Sequence, residues 1–359
     1  MTANRACVIG GVDTHGRSHH AAVIDSAGRV LGSAEFEANA AGYRRLLAWM
    51  RRHGELAQIG VEGTGTYGAG LTRHLLAEGV PVVEVDRPNR RLRRQRGKSD
   101  PIDAEAAARA VLAGTATVPP KDRGGIVESI RALRTARSGA VKARGAALNA
   151  LKAMIVSAPA ELRAALDDLH AVPLVTTCAA LRPDQQRLSD PLQATKAALR
   201  SLARRIVALD AEITELDAAL TQLVHRAAPH TISLLAIGVD HAGQLLVTAG
   251  ERPERLRSEA AFAHLCGVAP VPASSGQTQR HRLHRGGDRA ANRALHLAVV
   301  VRLRCCPRTR AYVERRTQEG LSKPEIMRCL KRYVAREIHG LLCPRGSGVG
   351  VADHGIEAA

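Results

Sequence analysis

The apolar pattern of the first hundred residues is one of short strands broken by helices. Residues 6–12 (Ala-Cys-Val-Ile-Gly-Gly-Val) are a continuous buried-strand run, closed by Asp13. His20 to Ile24 and Arg29 to Phe36 predict two further strands, with Ser26-Ala27-Gly28 as the turn between them. Ala41 to Arg52 carries Leu46, Leu47, Trp49 and Met50 at helical spacing. Leu56 to Val61 predicts a strand ending at Glu62. A Gly63-Thr64-Gly65-Thr66 loop, a helix from Tyr67 to Ala77 and a short strand from Val80 to Val85 follow. A last helix starts at Pro101, a residue suited to a first helical position, and Gly114 stops it near Ala113. Strand, hairpin, helix, strand, helix, strand, helix is the order of a ribonuclease-H-like α/β domain, assigned to residues 1–120.

Beyond residues 114–125, which read as a linker with Pro119, Pro120, Gly124 and Gly125, the pattern is helical. Leu199, Leu202, Ile206, Leu209, Ile213, Leu216, Leu220 and Leu223 alternate steps of three and four, the signature of a coiled-coil seam. With the weaker helical pattern of Ile126 to Leu166 and a turn region between Pro173 and Pro183, residues 121–228 are expected to form a helical hairpin or a dimerising arm, with one helix of an ordinary bundle as the alternative. Residues 229–342 form a third, mainly helical region. It has a short helix, a turn and a helix over 232–249, and a helix from Ser258 to Cys266. Next come a loop from Pro270 to Gln279 and a basic, flexible run from Arg280 to Asp288, then long helices near Arg289–Arg304 and Lys323–Leu341. The Gly-rich residues 343–359 are expected to be a disordered tail.

Charge changes this picture from architecture to partner. The 359 residues carry a net charge of +18, and the sequence pI is about 10.6, a field that favours polyanions. The charge is clustered: Arg87, Arg90, Arg91, Arg93, Arg94, Arg96 and Lys98 form one group. Another runs from Arg280 to Arg304 and includes Arg282, Arg285, Arg289 and Arg293. Aromatic residues are only 2% of the chain, which excludes single-strand binders that stack bases on aromatic platforms, so contact with DNA or RNA backbones is expected. No apolar run is long enough to span a membrane, and Met1 to Arg5 shows no signal-peptide pattern. The seven cysteines include no Cys-x-x-Cys pair, so a reducing, cytoplasmic setting without a zinc site is expected, with association to the nucleoid when bound to DNA.

Candidate chemistry gathers at Lys98-Ser99-Asp100-Pro101-Ile102-Asp103-Ala104. Asp100 and Asp103 are three apart on one helical face, and Asp13 and Glu62 each end a strand. Four such carboxylates suit a divalent-metal site acting on phosphodiesters. The plainer reading of Asp100 and Asp103 is helix capping, and of Asp13 and Glu62 a turn residue and a surface strand end. Ser275, beside Ser274 and before Gly276 in an arginine-rich region, is a candidate nucleophile, although Ser-Ser-Gly also occurs in inert loops. His281-x-x-His284 has metal-ligand spacing, but its arginine neighbours favour phosphate contact over a cation. Neither Gly63-Thr64-Gly65 nor Gly286-Gly287 fits a Walker A loop.

Gly11-Val12-Asp13-Thr14-His15, Val61-Glu62-Gly63-Thr64-Gly65 and the Lys98–Ala104 stretch resemble the N-terminal domain of the DEDD transposases of insertion sequences. These are relatives of the Piv/MooV DNA invertases and are known as bridge-RNA-guided recombinases. Cys266-Gly267-Val268-Ala269-Pro270, Ser275-Gly276, Arg285-Gly286-Gly287-Asp288-Arg289 and Asn292-Arg293-Ala294-Leu295 resemble the C-terminal transposase domain of the same family. The resemblance implies a RuvC-like domain with Asp13, Glu62, Asp100 and Asp103 as Mg²⁺ ligands, and Ser275 as the nucleophile of a phosphoserine intermediate. It also implies a homo-oligomer (dimer or tetramer) built through a coiled coil, in which one protomer's acids meet another's serine. A noncoding guide RNA would pair with donor and target DNA, leaving the protein to grip backbones. Three other functions remain open from the residues: a metal-only RuvC-like junction nuclease, an ATP-binding protein of the actin and sugar-kinase type, and a non-catalytic nucleic-acid-binding protein.

Overall fold

The computed structural model describes residues 6–85, 99–251, 256, 258–276 and 281–343. The basic cluster from Arg87 to Lys98, Arg280 and the tail over 344–359 lie outside the described residues. The chain divides into two compact units, Met1–Gly125 with Gly250–Arg255, and Ile126–Ala249 with Leu256–Ala359.

In the first unit, β1 (Cys7–Thr14), β2 (Ser18–Asp25), β3 (Val30–Glu37), β4 (Glu55–Glu62) and β5 (Val82–Val85) form one sheet in the order β3-β2-β1-β4-β5. The β1–β2 and β2–β3 pairs are antiparallel, whereas β1–β4 and β4–β5 are parallel. Strand order and directions are compatible with a ribonuclease-H-like domain. The central position of β1 explains its unbroken apolar run, since both of its faces are covered. On one face, Val8, Val12, Ile59 and Val61 pack against Leu46, Leu47 and Met50 of α1 (Ala40–Arg52) and Leu71 and Leu75 of α2 (Ala69–Ala77). On the other lies α3 (Asp100–Leu112), whose Ala107 and Val111 join Val83 and Val85. Glu84 and Val118 form an antiparallel bridge, so the stretch expected as a linker adds a contact at the sheet's edge.

Two glycines set how closely α3 approaches. Gly11 of β1 and Gly60 of β4 are register neighbours in the sheet. A Cβ at Gly11 would collide with the carbonyl oxygen of Ala104 and the backbone nitrogen of Ala108, and one at Gly60 with the side chain of Val111 and the carbonyl of Ala107. The helix meets this glycine floor with alanines, so its first turn is pressed against the strand ends.

The second unit is built on two long helices, α4 (Ile126–Val156) and α7 (Pro191–Ala227), joined through α5 (Ala160–Leu166) and α6 (Ala171–Ala180). The helices α4 and α7 pack as the expected hairpin and run antiparallel: Ile130 shares a core with Leu220 and Val224, while Leu151 and Ile155 share another with Leu199 and Ile206. The apolar seam is not uniformly buried. Leu199, Ile206 and Leu220 are buried, whereas Leu209, Ile213 and Leu216 are half-buried. Ion pairs reinforce the hairpin, with Arg137 on Asp217 and Arg144 on Asp210.

The remaining elements are α8 (Pro229–Ile232), α9 (Val239–Ala249), α10 (Glu259–Leu265), β6 (Val271–Pro272), β7 (His281–Arg282), α11 (Arg289–Cys305), α12 (Pro307–Gln318) and α13 (Lys323–Leu342). They enclose a core around Leu245, Phe262, Leu295, Val299, Val334 and Ile338. Beyond α6, which fills most of the turn region expected between Pro173 and Pro183, two features depart from the sequence expectation. The stretch expected as loop and flexible run contains the antiparallel β6–β7 pair, and α12 was not expected as a separate helix. Two-residue strands leave too little alternation to register as a period. The helix α12 is mostly polar, with only Thr309 and Tyr312 buried, so its sequence lacks an apolar stripe. Among the described residues, no helix is long and apolar enough to cross a membrane.

Candidate functional site

Strand alternation and the glycine floor together build the acidic site. Successive side chains of a strand point to opposite faces. With Val8 and Val12 facing α1, the set Ile9, Gly11 and Asp13 faces α3; with Ile59 and Val61 facing α1, Gly60 and Glu62 face α3. Asp13 is only 6% exposed, and Asp103, on the inner face of α3, 4%. Asp100 and His15 form the open rim, with side chains 51% and 44% exposed.

The imidazole of His15 lies between two carboxylates. Its Nε2 is 3.1 Å from Asp13 Oδ2 and 3.3 Å from Asp100 Oδ1. One donor atom from each of Asp13, His15 and Asp100 lies within 4.8 Å of the others, the spacing a single cation can span. The structure thus brings two of the four expected acids together and adds a residue that the sequence reading did not single out. Its signal was the Asp-x-His spacing at the end of β1. The carboxylates of Glu62 and Asp103 are not in that three-atom group; Glu62 ends the neighbouring strand and Asp103 sits one turn along α3. Two carboxylate oxygens and an imidazole nitrogen suit a hard or borderline divalent ion.

Asp100 is not the capping residue itself, although it and Asp103 lie in the helix's first turn, where carboxylates complement the helix dipole. Ser99 is the N-cap residue, Asp100 is the first helical residue, and its carboxylate turns to His15. The approach is braced by Thr14, whose Oγ1 donates to the carbonyl of Glu62 at 2.8 Å and ties the ends of β1 and β4 together. Beside them His19 is fully buried, stacked on Tyr43 at 5.6 Å, and its burial pushes its pKa down.

In the second unit, Ser275 is exposed, in the segment that leaves β6. Gly276 follows with φ +55, the left-handed region that favours glycine. Glycines also allow close backbone approach at the base of this hairpin. Gly267 (φ +66) and Gly287 (φ +84) interleave, and a Cβ on either would press into the other loop. Asn292 Nδ2 donates to the Gly267 carbonyl at 2.7 Å. Asp288 caps α11 by accepting from the amides of Ala290 and Ala291. Its other oxygen accepts from Thr248 Oγ1 at 2.7 Å and Gln244 Nε2 at 3.1 Å. These residues frame the serine segment. Arg282, Arg285, Arg289 and Arg293 are exposed on β7, the following turn and α11. His281 and His284 line a cleft with several arginines, and neither belongs to the metal-type grouping found among the described residues.

Two regions of the chain match known families. Residues 10–158 match the DEDD transposase family of the IS110 type, and residues 232–314 match the transposase family IS116/IS110/IS902. An insertion element IS900 protein of 42 kDa from Mycobacterium paratuberculosis is 31% identical over 134 residues, 36% of this chain and 34% of the relative. An insertion element IS110 protein of 43.6 kDa from Streptomyces coelicolor is 32% identical over 136 residues, 37% of this chain and 33% of the relative. The chain spans about a third of the length of the curated relatives it matches. The first match covers the acidic site and the second covers the serine hairpin, in that order along one polypeptide; the chain belongs to the IS110 family of DEDD transposases.

Proposed function

We propose that this chain is an insertion-sequence transposase that cuts and rejoins DNA through a covalent serine–phosphate link. The observation that carries the reading is the convergence of Asp13, His15 and Asp100 on the face of the sheet that also receives Asp103. Asp13, Glu62, Asp100 and Asp103 are the residues that would hold Mg²⁺, with His15 at the rim. When bound, the ion would neutralise charge on a phosphate and favour ionisation of an attacking hydroxyl.

Ser275 supplies that hydroxyl. Its Oγ forms a bond to phosphorus as the bond from phosphorus to a sugar oxygen breaks; the hydroxyl proton is released and the departing sugar oxygen is protonated. The number of phosphoester bonds is unchanged, so the reverse step rejoins strands without ATP. Arg282, Arg285, Arg289 and Arg293, with Arg280 and the basic residues from Arg87 to Lys98, grip the backbones of donor and target DNA. In this reading a noncoding RNA pairs with both DNAs and supplies the sequence choice. The acids and the serine belong to different units of the chain, which suits a homo-oligomer, joined through the α4–α7 hairpin, in which one protomer's acids serve another's serine. The setting is the bacterial cytoplasm, with the protein on the nucleoid when bound to DNA.

The test is to trap protein joined to a cleaved DNA strand. Wild type should give the adduct in Mg²⁺, and Ser275→Ala and Asp13→Asn should each give none. A mixture of the two variants should recover it if sites are shared between protomers. An adduct that persists in Ser275→Ala would move the nucleophile elsewhere. Full strand cleavage by Ser275→Ala would favour a metal-only nuclease, a reading that needs Asp13, Glu62, Asp100 and Asp103 but not Ser275.

A further inference from the structure

A second polar feature of the α10–α13 region is not used by the reaction just proposed. A cleft of about 510 Å³ is lined by Gly267–Pro270, His281–His284 and residues of α12 and α13. Its lining carries five cationic side chains, Arg282, Arg316, Arg328, Lys331 and Arg332, against the single carboxylate of Glu325. Lys331 is the unusual member. It is only 7% exposed, and its Nζ donates to Asn292 Oδ1 at 2.9 Å. Among the described residues no carboxylate pairs with it. Burial, with Arg328 adding to the effect, pushes its pKa down.

A buried ammonium without a counter-charge is unfavourable unless something anionic completes the site. Arg332 is already held by Glu259, and Arg316 by Glu319. Arg328 is only loosely engaged, 3.8 Å from Glu325, and the Nε of Arg316 is buried with no partner. Cationic side chains therefore outnumber carboxylates in the lining by five to one. The same cleft is lined by His281 and Arg282 of β7 and by Pro270, which precedes β6; the segment between the two strands carries Ser275.

We infer that this cleft is a seat for a backbone phosphate of the DNA strand, in which Lys331 and Arg328 take the phosphate oxygens and Arg316 closes the rim. The inference rests on the transposase reading and deepens it, because a phosphate held beside the β6–β7 hairpin fixes the path of the strand that Ser275 attacks. Lys331 acts here as a positioning residue. Through Asn292 it also reaches the carbonyl of Gly267, so occupation of the seat is felt at the base of the serine hairpin.

The experiment compares the full-length wild type with Lys331→Met and with Arg316→Ala/Arg328→Ala. It measures fluorescence anisotropy with a labelled DNA duplex over a salt series, and thermal unfolding with and without inorganic pyrophosphate. Methionine fills the lysine's space without a buried charge. Lys331→Met should therefore melt at or above wild type without ligand, bind DNA about tenfold more weakly, lose about one unit of salt slope and lose the stabilisation by pyrophosphate. The double variant should show the same binding defect. Wild-type affinity in both variants would overturn the seat, as would a Lys331→Met protein that melts well below wild type, which marks a purely structural lysine. Wild type that binds DNA through this seat but never cleaves it would overturn the transposase reading and leave the seat standing.

Discussion

His15 stands between two carboxylates that it can bridge or share with a cation. At hydrogen-bond distance from both Asp13 and Asp100, it holds the rim of the site in place when no ion is present. Replacing it with alanine should leave the fold intact, since its side chain is half exposed. It should also raise the Mn²⁺ or Mg²⁺ concentration needed for half-maximal binding by about tenfold, the scale of losing one ligand or its orienting partner. A titration followed by calorimetry checks this, and an unchanged midpoint would remove His15 from the site. At this scale the approach of Asp13 and Asp100 was legible because one ends a strand and the other starts a helix in the motif order of the chain. His15 was not, because a histidine just beyond a strand and before a glycine reads as turn. Lys331 was hidden for a similar reason: lysines on helices are ordinarily solvated, and only packing shows that this one is not.

Among the elements, the contact between β1 and α3 decides whether the site exists. Gly11 has no room for a methyl group against Ala104 and Ala108. Gly11→Ala should force the helix outward, destabilise the first unit by about 1–3 kcal/mol and carry Asp100 and Asp103 away from Asp13. Differential scanning calorimetry with the metal titration tests both effects; a variant with wild-type melting and metal binding would show that α3 is free to shift. A second contact between elements has a pH signature. Glu259 at the start of α10 pairs with Arg332 and Arg336 of α13, and those guanidiniums lower its pKa to about 2 from an ordinary 4.5. A depressed carboxylate pKa contributes stability that is complete above about pH 4.5 and lost as pH falls toward 2. Glu259→Gln should therefore melt below wild type at pH 6 and converge with it near pH 2; a constant gap across that window would rule out the ion pair as the source. Long elements with an apolar stripe, such as α1 and α7, were visible in the sequence. The β6–β7 pair was not, since two residues per strand cannot show a period and its pairing depends on backbone geometry set by Gly267 and Gly287.

For the molecule as a whole, the sequence predicts a sheet domain bearing acids, a helical arm, a helical region bearing a serine and a tail, whereas the chain divides into two compact units, the arm and the serine-bearing region falling in one of them. The order of motifs carries no information on which copy of a protein completes a site, because that depends on surfaces rather than on sequence spacing. The hairpin was legible as periodicity, but the eight leucines and isoleucines of its seam gave no hint that five of them, Leu202, Leu209, Ile213, Leu216 and Leu223, would be only half-buried. Between the buried ends of the hairpin, two ion pairs repeat at a matched spacing. Arg137 meets Asp217 and Arg144 meets Asp210, seven residues forward on one helix for seven back on the other. The hairpin is thus graduated like a ruler, in steps of one heptad. Removing residues 138–144 together with 210–216 takes out one graduation and leaves the Arg137–Asp217 pair aligned, shortening the arm by about 10 Å at 1.5 Å per residue. The matched deletion should keep a helical circular dichroism spectrum and a melting temperature near the parent's. Deleting either segment alone should lower the melting temperature sharply, and equal behaviour of the matched and unmatched deletions would show that the graduations do not set the register. Such an arm has a way to change its reach in paired, quantised increments that keep its two helices in step.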